Sequence, residues 1–275
     1  AQHDLALDYL KAGLLDRAEE ALRKLEATPY EGQARLARLA IYERSREWPE
    51  ATQVARLLEN SGEANFGVRM AHYQCEHARE AVQQGDTAKA MDILAKALTA
   101  QPAAPRPRIL LGQLQLSLGQ AQAAYDTLST LFERSDAAAP LAAASLAKAA
   151  QAADWAAQAT KLLEAHYEKQ PGIDVLEAIA ALEARTPEGS AASRQRFLKH
   201  LDKHASLMAA TRWLSEQGSE ATHVPAPVQK ALEQAIRPLA RYRCAACGFE
   251  AKEHFWHCPG CQAWDSYPPR RIEEL

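Results

Sequence analysis

Apolar residues recur four and then three positions apart along most of the chain: Ala18, Leu22 and Leu25; Ala90, Leu94 and Ala97; Ala124, Leu128 and Leu131. That spacing lays one stripe on an α-helix, which predicts amphipathic helices packed along one face. The stripes themselves repeat. Ala18, Ala51, Ala90, Ala124 and Ala159 follow one another at intervals of 33, 39, 34 and 35 residues. A small residue at each of these places lets the second helix of a pair approach the first closely. Ahead of three of them stands a glycine, Gly13, Gly85 or Gly119, and Pro29, Pro102 and Pro171 close units one, three and five. The order helix, turn, helix, stop is therefore written five times, most weakly in the copy running from Leu146 through Trp155 to Pro171. The one long interval coincides with Asn60-Ser-Gly-Glu-Ala-Asn-Phe-Gly67, turn-rich residues that predict a lengthened connection.

A period of 33 to 35 residues is that of tetratricopeptide units, in which no single hairpin can bury its apolar face and neighbours must stack. Helical patterning continues from Gly172 to about Gln217, with Val175, Ile179 and Leu182, then Phe197, Leu201 and Leu207. Thr186-Pro-Glu-Gly-Ser190 reads as the turn of this degenerate sixth hairpin. Gly218 to Pro227 reads as a linker, and Val228, Leu232, Ile236 and Leu239 mark one face of a short helix that leads into Cys244 and docks the C-terminal segment. The expected class is all-α: a superhelical tetratricopeptide-repeat solenoid over 1–217, a linker and docking helix over 218–240, and a small separate C-terminal domain over 241–275.

Composition narrows the function classes. The 275 residues are 47% hydrophobic with a formal net charge of −3, enough for a large core and no basis for binding a polyanion. Four of the five cysteines fall in the last 34 residues as Cys244-x-x-Cys247 and Cys258-x-x-Cys261. Each pair can place two thiolates on one tetrahedral ion, and two pairs complete the Cys₄ shell that zinc or a single iron accepts. His254 and His257 are the rival ligands. Gly248 and Pro259 suit the tight knuckles, and Tyr242, Phe249, Phe255, Trp256, Trp264 and Tyr267 are expected to pack around the ion, because a segment this short needs a staple. Within 241–275 five basic residues balance five acidic ones, so four thiolates around a divalent ion leave the domain negative and unsuited to nucleic acid. Clustered thiols fit a reducing compartment.

The C-terminal wording Tyr242-Arg-Cys-x-x-Cys-Gly-Phe, then Trp256-His-Cys-Pro-x-Cys-x-x-Trp264, closing a repeat array, resembles the LapB (YciM) family of lipopolysaccharide assembly proteins. The resemblance implies a bacterial inner-membrane regulator, with an N-terminal membrane helix, cytoplasmic repeats and, over 241–275, a small metal domain of the rubredoxin-like or zinc-ribbon type with iron at the four cysteines. It further implies that the protein presents the deacetylase LpxC to the membrane protease FtsH and so limits lipid A synthesis. The chain opens at Ala1 with a helix already under way and holds no apolar run of membrane-spanning length, so a preceding anchor is expected.

Enzyme signatures are absent: there is no Gly-x-Gly-x-x-Gly, phosphate-binding Gly-Lys-Ser/Thr, His-Glu-x-x-His or Gly-x-Ser-x-Gly. His200 and His204 stand one turn apart without a third ligand, and Cys75 has no neighbouring base. Recognition is expected in the groove lined by the first helix of each hairpin. Registering units three and four on Gly85 and Gly119 turns His72, Cys75, Arg79, Val82, Arg106, Ile109 and Gln113 toward it, with Arg79 and Arg106 poised for a partner's carboxylates. The reading is thus a non-enzymatic adaptor at the cytoplasmic side of the inner membrane. Its rivals are an iron protein that carries electrons or senses oxidants, and a general co-chaperone scaffold.

Overall fold

The computed structural model describes residues 2–62, 65–134, 136–184, 187–215, 226–236 and 241–274. Fourteen α-helices occur among them, taken in antiparallel pairs: α1 (Gln2–Lys11) with α2 (Leu15–Arg23), α3 (Glu31–Ser45) with α4 (Trp48–Asn60), α5 (Gly67–Gln83) with α6 (Thr87–Ala100), α7 (Pro105–Ser117) with α8 (Ala121–Glu133), α9 (Ala143–Ala152) with α10 (Ala156–Lys169), α11 (Ile173–Glu183) with α12 (Pro187–Leu201), and α13 (Leu207–Ser215) with α14 (Ala226–Ile236). They belong to two compact units, Ala1–Leu111 and Gly112–Leu275.

The repeat signal has its physical counterpart in the five period-marking alanines, Ala18, Ala51, Ala90, Ala124 and Ala159, each of which is 0% exposed. A larger side chain there would hold the paired helices apart. Gly112 meets the same demand from the first helix, since a Cβ on it would lie 2.5 Å from Leu128 Cγ. The alanine run from Ala137 onward is likewise core, with Ala139, Ala142, Ala143, Ala149 and Ala150 wholly buried around a 3₁₀ turn (Ala139–Ala142) and α9.

Between repeats, polar side chains reach across one period. In the first unit Arg69 grips Glu43 through two 2.8 Å bonds and Trp48 Nε1 donates to Glu80 at 2.9 Å. In the second, Gln151 donates to the Ala181 carbonyl at 2.9 Å and Arg212 to Glu177 at 2.7 Å. These partners are 26 to 35 residues apart, so the ladder is a by-product of the repeat length.

Each of the first five hairpin turns holds one left-handed residue. Gly13, Gly85 and Gly119 supply it with φ of +74°, +82° and +75°, but the second and fifth turns use Arg46 (φ +62°) and Asp154 (φ +59°). A side chain at positive φ costs about 1 kcal/mol where glycine costs nothing. Arg46→Gly should therefore raise stability by about 0.5–1 kcal/mol, read as a higher urea midpoint at unchanged slope. An unchanged or lower midpoint would show that Arg46 makes compensating contacts.

One expectation is met and two are adjusted. The lengthened connection does fall after Asn60, where α4 ends, with α5 starting at Gly67. Pro187 to Ser190, expected as a turn, open α12 instead, with proline at a helix start where it has no bond to lose; Thr186 itself lies outside the described residues. The segment 172–217 also holds a third helix, α13, which packs on α14 as a further pair. Most of the expected linker, residues 218–225, and Leu239 lie outside the described residues.

Candidate metal centre

The C-terminal module is almost free of helix. Tyr242–Arg243 pairs antiparallel with Glu250–Ala251, and an isolated bridge joins His257 to Trp264. These two short ladders present two matching knuckles. In the first, Cys244 N–H donates to the Phe249 carbonyl at 2.9 Å and Gly248 N–H donates back to the Cys244 carbonyl at 2.9 Å; in the second, Cys258 N–H donates to Ala263 at 2.9 Å and Gln262 N–H to Cys258 at 2.8 Å. Gly248 and Gln262 occupy equivalent left-handed positions, φ +77° and +60°.

All four sulfurs lie within 4.8 Å of one another, with Cys244 Sγ 3.8 Å from Cys261 Sγ and Cys247 Sγ 3.7 Å from Cys258 Sγ. A disulfide would bring sulfurs to about 2.05 Å. A tetrahedron of thiolates about 2.3 Å from a central zinc has edges of about 3.8 Å. The four cysteines therefore have the separations of a tetrathiolate shell, and the donor set accepts iron as readily as zinc.

Each knuckle also turns amide N–H groups toward sulfur. Burial opposes ionisation of Cys244, but Ser266, whose Oγ lies 3.2 Å away, and the amides of Cys247 and Ala246 outweigh it and bring the thiol down to about 6. Burial likewise opposes ionisation of Cys258, and the amides of Cys261 and Gly260 again prevail. The Phe249 amide favours the Cys247 thiolate, but burial, followed by crowding from the other three sulfurs, pushes that thiol up to about 12. Such crowding is what a divalent ion relieves. Cys244 and Cys258 form the buried pair, and Cys247 and Cys261 the exposed one.

The rival histidines are engaged elsewhere. His257 stacks on Trp264 at 4.3 Å between ring centroids, and His254 Nε2 lies 3.0 Å from the Tyr267 carbonyl oxygen. Tyr242 and Tyr267 are buried with Phe255 packed against them, and Tyr267 Oη donates to the Phe249 carbonyl at 3.1 Å. Phe249, expected in this core, is 44% exposed and lies over Gly260, close enough that a Cβ there would come within 3.2 Å of its ring.

The module is fastened to the repeats by its last 3₁₀ turn (Ile272–Glu274) and the arginine before it. Arg271, 3% exposed, donates to Asp174 at 2.5 and 3.1 Å and to Glu177 at 2.9 Å, both in α11. Burial works against its charge, but these carboxylates outweigh it and raise the guanidinium pKa. Glu274 accepts from the Ile173 amide at 2.5 Å and so caps α11; Glu273 accepts from the Leu207 amide at 3.2 Å and Ser206 Oγ at 2.7 Å at the start of α13. Two consecutive carboxylates thus satisfy orphan N–H groups at two helix N-termini. Leu141 packs against the module core from the 3₁₀ turn ahead of α9. A count of charges over the module gives Arg271, Glu273 and Glu274 no prominence, yet they make the contacts that fasten it to α11 and α13; α14 packs on α13.

Known proteins bear on this architecture. Residues 242–269 match the LapB zinc-ribbon family model, described as a rubredoxin metal binding domain, and residues 81–149 match a tetratricopeptide repeat model. Lipopolysaccharide assembly protein B of Escherichia coli K12 is 28% identical over 278 residues, spanning 98% of this chain and 71% of that protein. This chain is similar to the lipopolysaccharide assembly protein B family from end to end. The Haemophilus influenzae protein of the same name is 24% identical over 297 residues, covering 100% of this chain and 70% of that one. Among solved structures, that of Pseudomonas aeruginosa pilF has 19% identity and a TM-score of 0.41 over 78% of this chain and 96% of its own.

The expected partner groove is only partly open. Arg79, Val82 and Gln113 are exposed, Gln113 donating to Ser145 at 3.4 Å. His72, Cys75, Arg106 and Ile109 are buried, which corrects their assignment to an open surface. Arg106 is 3% exposed and ion-paired with Glu76, with His72 beside it, so it joins two hairpins and is not free to meet a partner's carboxylate. Burial pushes the Cys75 thiol up to about 12, which makes it inert. Arg106→Met should lower stability by about 2 kcal/mol by leaving Glu76 without its partner, while partner binding by the folded protein stays unchanged. A binding loss at unaltered melting temperature would restore Arg106 to the recognition surface.

Among the described residues no helix is long and apolar enough to cross a membrane.

Proposed function

We propose that the chain is a non-enzymatic adaptor in the control of lipopolysaccharide synthesis. It acts at the cytoplasmic face of the bacterial inner membrane, promotes degradation of LpxC by FtsH, and gathers other lipopolysaccharide-assembly proteins. The observation that carries this reading is the end-to-end similarity to proteins named lipopolysaccharide assembly protein B, in both the repeats and the cysteine module. Stacked hairpins suit the role because they offer long faces of side chains without requiring the backbone to rearrange.

In this reading the chemistry belongs to the protease, and the chain contributes position. Cys244, Cys247, Cys258 and Cys261 hold one zinc or iron ion, which supplies cross-linking to a module too small to fold alone. The ordered module then presents Arg271, Glu273 and Glu274 to α11 and α13. Arg79 and Gln113 are the exposed polar groups assigned to partner contact. The test is a pull-down from cytoplasmic membranes with the purified chain. Recovery of FtsH and LpxC together is expected; recovery of neither would count against the adaptor role.

A further inference from the structure

The second helices of successive hairpins do not all pack equally closely. α8 packs directly on α10, but between α10 and α12 there is a cleft of about 580 Å³, within the range of roughly 300–1,000 Å³ typical of binding cavities. Its accessible apolar lining is Tyr167 of α10, Pro171, and Ala192 of α12, over the buried Leu176 and Ile179 of α11. The lipopolysaccharide reading makes no use of this cleft.

Two polar contacts span the cleft, Arg196 to Glu164 and Tyr167 Oη to His200 Nδ1, the latter at 2.6 Å. His200 is 3% exposed, and its Nε2 is buried with no partner among the described residues. Burial pushes the Tyr167 hydroxyl up and the His200 ring down, so both are neutral at pH 7. A neutral phenol and a neutral imidazole carry two protons between them and make one hydrogen bond. Whichever way that bond points, one donor is left over: the His200 Nε2–H or the Tyr167 O–H. A buried donor without an acceptor costs about 1–3 kcal/mol.

The charges decide what kind of acceptor fits. Arg196 is already held by Glu183 and Glu164. The remaining rim charges, Lys199 and Lys203 against Glu168 and Asp202, balance. A balanced rim gives no net attraction for a phosphate or a polyanion, whereas a peptide carbonyl needs only the single donor. We propose that this cleft docks an extended peptide segment of a partner protein, one large apolar side chain resting against Tyr167, Pro171 and Ala192 and a backbone carbonyl accepting from the Tyr167–His200 pair.

The test uses the full chain on an array of immobilised random decapeptides, with the best binders remeasured by fluorescence anisotropy. The selected peptides should be enriched in leucine, isoleucine or phenylalanine. Ala192→Trp, at an exposed helix position where it fills the cleft without touching the core, should weaken the best peptide about tenfold or more, and Tyr167→Phe should weaken it less. Circular dichroism of both variants should match the parent. The proposal is overturned by an array without binders, by selected peptides that are merely charged, by undiminished binding to Ala192→Trp, or by displacement of the peptide with inorganic phosphate. None of these outcomes bears on recovery of FtsH and LpxC.

Discussion

Cys258→Ser is expected to release the metal and unfold residues 241–274 while the repeats stay folded. Cys258 is wholly buried, and its sulfur lies 3.7 Å from Cys247 Sγ at one edge of the tetrathiolate shell. Apart from the ligands, the module's buried core is two tyrosines, Tyr242 and Tyr267, with Leu141, Ala251 and Phe255 packed against it. That is far too little apolar surface to order a segment of this size, whereas a structural zinc contributes about 10–16 kcal/mol of apparent binding energy to small modules. Helices make up nearly all the regular structure outside the module, so the far-ultraviolet helical signal should hardly change. Amide exchange in 241–274 should become fast, and trypsin should cut at Arg243 and Lys252. Cys75→Ser, a buried thiol outside the shell, is the control that should retain metal. A protease-resistant, metal-free tail in Cys258→Ser would refute the staple.

The second large effect concerns attachment. Arg271→Met keeps the length and apolar stem of the side chain but leaves Asp174 and Glu177 facing a buried site without a cation. Removing one partner of a buried ion pair costs about 3–5 kcal/mol. The metal should stay bound, since Arg271 is not a ligand, while amide exchange rises at Ile173 and Leu207, the N–H groups capped by Glu274 and Glu273. Loss of metal together with attachment would mean that the knuckles depend on docking. Unchanged exchange at both amides would mean that Leu141 and the carboxylates suffice without the arginine.

The range of each interaction decides how much of the molecule is legible in its sequence. The repeat is readable because close helix approach demands a small residue at a fixed place in each hairpin, and Ala18, Ala51, Ala90, Ala124 and Ala159 are all fully buried. The metal shell is readable because both halves of it are local, each a Cys-x-x-Cys turn. The fastening is not, because Arg271 meets Asp174 across 97 residues and its charge vanishes into a balanced count. Nor can periodicity separate Arg79 from Arg106. Both fall on first helices at positions registered toward the groove, yet one is exposed and the other lies between hairpins paired with Glu76. The left-handed turns at Arg46 and Asp154 are hidden for a similar reason: hairpin stacking imposes the conformation, and the residue there does not announce it.

One rate tests the adaptor role most directly. LpxC degradation by purified FtsH in membranes should run several-fold faster when this chain is present on the cytoplasmic side, and Cys258→Ser should abolish the acceleration. Equal rates with and without the chain, FtsH being active on another substrate, would contradict the adaptor function.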